Sequence, residues 1–321
     1  MTDNASAIPE RMRAVVLDAF GGPDLLRLVG RPVPTAGDGE VLVRVRAAGI
    51  NAIDRATRAG HGVEVSKFPV ILGWDVSGEV AALGSGVTGL AVGDEVFGLL
   101  RFPDIASGYA HYVTAPAAQL ARKPKELSHH AAAAAPIPAL TAWQSLVSHG
   151  KVASGQRVLV SGAAGGVGHI AVQIAHAAGA EVIGTAAGSH HEFVTSLGAD
   201  QVVDYTRQRV SQVVKDVDIV LDPRGGADFV QLLDVLKPGG IIVTLKGDAP
   251  GQADLARSRG LRVAYTRVAP TGATLGEIAK QLADGRIRVG VEQVFLLEEA
   301  GAAHLAGERG HVQGRLVLDM G

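Results

Sequence analysis

The period of the apolar positions changes part-way along the chain. Residues 40–47 alternate, with Val41, Val43 and Val45 on one face and Arg44 and Arg46 on the other, the two-residue period of a half-buried strand. Short apolar runs at 13–17, 25–29, 70–72, 78–83, 95–98 and 109–115 are parted by turns, most of them glycine-rich. They predict a strand-rich region over roughly the first 120 residues. One helical segment, 52–58, interrupts it, and residues 1–12 read as a poorly ordered tail. Ser128 is placed to cap a helix over 129–135, which Pro136 and Pro138 interrupt before helical spacing resumes over 140–149. From residue 157 the pattern differs. Apolar runs at 157–161, 181–185, 201–204, 218–222 and 241–245 alternate with helical segments. Mostly apolar strands alternating with helices predict a parallel sheet covered on both faces. Helices at 275–282 and 298–307, and strands at 291–295 and 314–318, complete the reading.

The segment RVLVSGAAGGVGHIAVQIAHAAG (157–179) organises the second half. Gly162, Gly165, Gly166 and Gly168 follow its apolar run, and Val167, Ile170, Ala171, Ile174, Ala175 and Ala178 then recur at helical spacing up to Gly179, a C-cap glycine. A helix N-terminus has unpaired N–H groups and partial positive charge. A pyrophosphate satisfies both where glycine leaves the approach clear. The spacing is A-x-G-x-x-G, with Ala163, Gly165 and Gly168 in the three positions and alanine at the tight turn. An ordinary strand-to-helix turn gives the same residues, so the alternation around it carries the nucleotide reading.

Length and composition narrow the field. With 321 residues, 47% of them hydrophobic, the chain has room for two cores. The net charge is −2 with no dense basic cluster, so nucleic acid is not an expected partner. There is no cysteine, which removes disulfides, thiolate catalysis and cysteine-based zinc sites. The N-terminal MTDNASAIPERM lacks an apolar signal-peptide core, and no apolar stretch is long enough to span a membrane. A cytoplasmic protein with no membrane partner is expected.

Eight segments together resemble a known family. They are GEVLVRVRAAGINAID (39–54), FPVILGWDVSGEVAALGSGVTGLAVGDEVFG (68–98), SGYAHYV (107–113), AAAAAPIPALTAWQSL (131–146), the glycine segment extended to Thr185, LGADQVVDY (197–205), LKPGGIIV (236–243) and GHVQGRLVL (310–318). In this order they resemble the medium-chain dehydrogenase/reductase superfamily, in its zinc-free quinone oxidoreductase-like branch. The resemblance implies an α/β protein of two domains. A GroES-like β-rich catalytic domain would take 1–124 and 268–321, and a Rossmann doubly wound domain 125–267. The active site would lie in the cleft between them, and a homodimer through the Rossmann sheet edge is the family habit.

The same resemblance places the site residues. Zinc-dependent relatives have a cysteine near Asn51 and Gly-His-Glu where this chain has Gly73-Trp74-Asp75, so no metal is expected. The eleven histidines, including the pairs His129-His130 and His190-His191, read as solvated or capping. The cofactor would sit on Ser161, Ala163, Ala164, Gly165, Gly166, Val167 and Gly168, with Asp222, Thr244 and Leu245 at later strand ends. An NAD site places a carboxylate at the end of the second strand, and the residues there run from Thr185 to Gly188 without one. Ser189 and Tyr205 match positions of NADPH-using relatives, and His190 or His191 stands where lysine or arginine is usual. NADPH is therefore the expected cofactor. Arg224, after the fourth strand, could reach the cofactor or an acidic acceptor.

Without a Lewis acid, the chemistry still open is hydride addition to an electron-poor acceptor, a quinone or α,β-unsaturated carbonyl. Asn51 could hold the carbonyl oxygen or merely cap residues 52–58. Asp54 caps, orients, or pairs with Arg58. Trp74 packs the cleft wall or fills core, and Thr141 matches a position near the cofactor. The tyrosine that quinone oxidoreductases often carry two residues past Asp54 is Ala56 here, next to Arg55. The unusual 100–107 loop fits a natural-product pathway enzyme. The alternative from another class is a non-catalytic NADPH-binding or redox-sensing protein.

Overall fold

The computed structural model describes residues 8–247, 251–310 and 312–321. Two large sheets carry the chain. The strands of one, in chain order Arg157–Val160, Glu181–Ala186, Gln201–Asp204, Val217–Asp222, Leu236–Thr244 and Arg262–Tyr265, are all parallel. They lie side by side in the order third, second, first, fourth, fifth, sixth, the doubly wound dinucleotide-binding arrangement. Strand order reverses between the first and fourth strands, which opens a crevice at their carboxyl ends. Val158, Leu159 and Val160 are fully buried because helices cover both faces. The sixth strand has no readable apolar run, since it is an edge with Arg262 and Tyr265 exposed.

The second sheet runs Val291–Leu296, Arg315–Asp319, Glu40–Ile50, Asp75–Leu83, Glu95–Leu99, Leu120–Arg122, and Tyr112–Pro116 also pairs with Glu40–Ile50. The chain's last strand thus returns to the first half, with Leu316 antiparallel to Ile50 and Asp319 to Ala47. That register brings Arg315 alongside Asn51. A three-stranded sheet of Leu26–Pro32, Arg11–Leu17 and Val70–Ile71 flanks it.

Several boundaries differ from the sequence reading for local reasons. The first strand begins at Arg11, so the expected tail over 1–12 is shorter; residues 1–7 lie outside the described residues. Tyr109 precedes its strand and donates its N–H to Leu72 O at 2.9 Å. Ser128 Oγ accepts from Ala131 N at 3.2 Å and caps His129–Ala134 as expected. Pro136 opens a second helix, Pro136–Trp143, instead of breaking the first. A first-turn proline loses no helical hydrogen bond.

Candidate active site

The glycine loop is built from close backbone contacts. Gly162, not Ala163, makes the tight turn, with φ of 65°. Ala163 is fully buried, donates its N–H to Thr185 O at 2.8 Å, and packs beneath Gly184. Thr185 Oγ1 accepts from Gly162 N at 3.0 Å. Gly168 opens the helix Gly168–Ala177, and a Cβ there would stand 2.2 Å from Gly162 O and 2.8 Å from Ala163 Cα. Among the described residues, the N–H groups of Gly166 and Val167 find no acceptor. Free N–H groups at a helix N-terminus, with no side chain in the way, make an anion cradle.

The loop opens into a cleft of about 1890 Å³ walled by both sheets. Drug-sized ligands take roughly 300–1,000 Å³, so the space suits a dinucleotide together with a second reactant. Of the residues expected from the sequence, Asn51 and Thr141 line it, and so do Ala164, Gly165, Gly166, Val167 and Gly168. Thr185, His190, Tyr205, Arg224 and Leu245 line its far end. Arg224 lies over the Tyr205 ring at 5.5 Å, and His190 Nδ1 is 3.2 Å from Gln313 Oε1.

Eight expected residues do not reach the cleft. Ser161 is buried in the strand end, with its N–H donated to Leu221 O, and Ala163 is the packing residue described above. Ser189 is exposed to solvent, while His191 turns inward. Asp222 is buried and accepts from Arg224 N and Gly225 N at 3.1 and 3.0 Å, so it shapes the turn that presents Arg224. Thr244 Oγ1 supports Lys246 N in the same way. Trp74 has no exposed surface; its Nε1 donates to Asp104 O at 2.7 Å and its ring meets Phe102 edge-on. Phe102, not Trp74, is the cleft wall.

Asp54 does not pair with Arg58, whose guanidinium instead bonds Glu308. Asp54 Oδ2 accepts from Asn51 N at 2.6 Å, which fixes the start of the helix Ala52–Arg58. Asn51 is thereby held at the cleft lining with its amide fixed by buried partners. Its Oδ1 accepts from Arg315 Nη2 at 2.7 Å, and its Nδ2 donates to Asp75 Oδ2 at 3.1 Å. Asp75 also accepts from Ile137 N, and Arg315 Nε donates to Ala134 O at 3.1 Å. All four polar side chains are buried. Burial pushes Asp75 up to about 7 and Asp54 up to about 6, with the Arg315 charge pulling both back.

Sequence reasoning missed Asp75 and Arg315 as members of this cluster. The available signal was a charged residue leading an apolar strand run, DVSGEV and RLVL. The histidines are more engaged than expected. His129 bridges Ser77 Oγ at 2.8 Å and Glu95 Oε1 at 3.1 Å, but Ser77 has no exposed surface, so this row is structural. His130 meets Asp319 at 2.8 Å.

Residues 37–125 match the alcohol dehydrogenase GroES-like domain family, and residues 197–318 match the zinc-binding dehydrogenase family. The zebrafish (Danio rerio) NAD(P)H oxidoreductase RTN4IP1, mitochondrial, is 33% identical over 96% of this chain and 91% of its own length. The chain belongs to the medium-chain dehydrogenase/reductase superfamily. It is an oxidoreductase. A second relative, the NADPH-dependent alkenal/one oxidoreductase, chloroplastic, of Arabidopsis thaliana, is 36% identical over 75% of this chain and 64% of its own. The structure of the quinone oxidoreductase from Coxiella burnetii superposes with a TM-score of 0.92 at 36% identity, covering 97% of this chain and all of that one. The superfamily's two-domain fold is the one seen here, a GroES-like sheet and a parallel Rossmann sheet. No helix among the described residues is long and apolar enough to cross a membrane.

Proposed function

We propose that the protein is an NADPH-dependent reductase of α,β-unsaturated carbonyls or quinones that works without zinc. The observation that carries the reading is the single cleft joining the glycine cradle to the Asn51 amide. The names of the quinone, alkenal/one and NAD(P)H oxidoreductase relatives support the reaction class. The donor set supports zinc independence. Asn51 offers an amide, Trp74 turns its indole to Asp104 O, and the Asp75 carboxylate faces the Arg315 guanidinium. A fixed positive charge in that position disfavours a dication.

The residues fit the cofactor. Gly166 and Val167 offer N–H groups to the pyrophosphate, with the Arg315 side chain against Gly166. When bound, the reduced nicotinamide supplies a hydride to the β-carbon of the acceptor. Negative charge then builds on the acceptor's carbonyl oxygen. Asn51 lines the cleft, and its Nδ2 group, which also faces the Asp75 and Asp54 carboxylates, is the amide donor available to that oxygen. Arg315 and Asp75 hold the amide in this orientation, so it needs no rearrangement as the charge develops. The open cleft admits the water that protonates the α-carbon.

NADPH over NADH rests on the far end of the cleft. The second strand ends in Thr185, Ala186 and Ala187 without a carboxylate, while His190, Arg224 and Lys246 line the same end. A charge-assisted contact to the 2′-phosphate contributes about 1.5–3 kcal/mol. Arg224→Ala is therefore expected to weaken NADPH binding roughly 10- to 100-fold, with a much smaller effect on NADH. Titration of both nucleotides against both proteins checks this, and equal losses for the two would assign Arg224 elsewhere. The reaction itself is tested by following oxidation of NADPH with a panel of 1,4-quinones and enones. Turnover is expected. Tight NADPH binding with no acceptor reduced would favour a binding protein.

A further inference from the structure

The cleft carries more positive charge than a bound dinucleotide uses. Among the described residues, only two carboxylates, Glu64 and Asp104, line it. Arg224, Lys246 and Arg267 follow the fourth, fifth and sixth parallel strands, and Arg315 lies against Gly166. These four face the cofactor wall. Arg31, Arg55 and Lys67 line the cleft from the other wall, on the strand Leu26–Pro32, the helix Ala52–Arg58 and the loop before Val70–Ile71. Their side chains make no hydrogen bond or ion pair among the described residues. The chain as a whole has net charge −2, so this is a local concentration of charge.

Arg55 is the member best placed to act on substrate. It sits four residues past Asn51, one helical turn along the same wall. Its guanidinium lies along Gly307, where a Cβ would stand 2.4 Å from Nη1. It is only partly exposed. The buried Asp54 carboxylate beside it on the helix is near enough to feel its charge, but no acceptor among the described residues bonds the guanidinium directly, so its donors are left for an anion in the cleft. Ala56, beside it in the cleft lining, leaves the space a larger side chain would fill.

Resting on the reductase reading above, we propose that the acceptor is an anion. It is a conjugated carbonyl compound bearing a carboxylate or phosphate group, which Arg55 grips while Asn51 holds the carbonyl oxygen. Arg31 and Lys67 draw the charged end into the cleft. The guanidinium fork matches both kinds of oxyanion, in paired hydrogen bonds that a neutral acceptor does not offer.

The test compares 4-oxopent-2-enoate with its methyl ester and with the phosphonate that replaces its carboxylate. The ester is the more electrophilic alkene, so intrinsic reactivity favours it. The wild-type enzyme is expected to show kcat/KM at least ~10-fold higher for one of the two anions than for the ester, a preference that shrinks as ionic strength rises. Which anion leads tells carboxylate from phosphate. Arg55→Met is expected to bring that ratio close to one, and Arg55→Lys to retain part of it. An independent readout is calorimetric binding of the saturated product, 4-oxopentanoate or its phosphonate counterpart, to the enzyme with NADP⁺. Arg55→Met should weaken it at least ~10-fold. Reduction of the ester as fast as both anions by the wild-type enzyme would overturn the proposal and leave the reductase reading intact. Failure to reduce any of the three, or any quinone, would overturn that reading and this proposal with it.

Discussion

Gly168→Val is expected to abolish useful cofactor binding, raising the dissociation constant for NADPH at least ~100-fold, about 2.7 kcal/mol. A Cβ at this position would stand 2.2 Å from Gly162 O and 2.8 Å from Ala163 Cα. Both are backbone atoms of a turn fixed by Thr185, so neither can move aside as a flexible side-chain tip would. The helix Gly168–Ala177 must back away, and the free N–H groups of Gly166 and Val167 go with it. Overpacking of this kind also costs about 1–3 kcal/mol of stability. Fluorescence titration of NADPH, with circular dichroism to confirm the fold, reads the effect. Unchanged affinity in a folded variant would show that the loop is not the cofactor cradle.

Arg315→Met is expected to destabilise the protein by about 3–5 kcal/mol, because it leaves buried carboxylates without their counter-charge. Arg315, Asp75 and Asp54 are all fully or nearly fully buried, so water cannot compensate the loss. The effect should depend on pH in a defined direction. Asp75 and Asp54 have folded-state values of about 7 and about 6, against an ordinary carboxylate value of 3.8. Between these limits the folded chain holds more protons than the unfolded one, so stability from this pair is full below about 3.8 and is lost as pH rises through 7. Removing Arg315 raises both carboxylates further and extends that loss to higher pH. The buried neutral imidazoles of His169 and His304, held down to about 4 and about 3 by burial, act in the opposite sense. Their stabilisation is present above about 6.5 and is lost as pH falls. His304 is common to both proteins and cancels in the difference, while the Arg315 charge is one cause of the His169 depression, so losing it eases that depression and acts on the gap in the same direction as the carboxylates. Thermal melts from pH 5 to 8 should therefore show the gap between wild type and Arg315→Met widening with pH. A gap independent of pH would mean that the cluster is not electrostatically coupled.

What the sequence made legible follows from the range of each interaction. The parallel strands and the glycine turn are local patterns, and four of the six strands fall within a residue of their expected ends. Leu236–Thr244 begins earlier than its apolar run because Lys237, Pro238 and Gly239 are exposed at its start. The turn itself was displaced by one residue. Gly162 takes the left-handed conformation and Ala163 packs inward, a distinction that depends on the second strand lying beneath Ala163. The cluster around Asn51 was harder to read. Its key partner, Arg315, is 264 residues away and arrives through the antiparallel register of the last strand. Trp74 shows the limit in the other direction. Its position in the sequence leaves cleft wall and core filling both open, and only the 2.7 Å bond to Asp104 O decides for the core, with Phe102 at the surface of the cleft.

The central claim is hydride delivery to the β-carbon of a conjugated acceptor, with Asn51 on the carbonyl oxygen. Reaction of an enone with NADPH deuterated at C4, on the transferred face, tests it most directly. The product is read by mass spectrometry and NMR. The expected product is a saturated ketone with one deuterium at the β-carbon, formed in step with NADPH consumption and slowed in Asn51→Leu. Deuterium on the carbonyl carbon of an allylic alcohol, or its full retention in the cofactor, would contradict it.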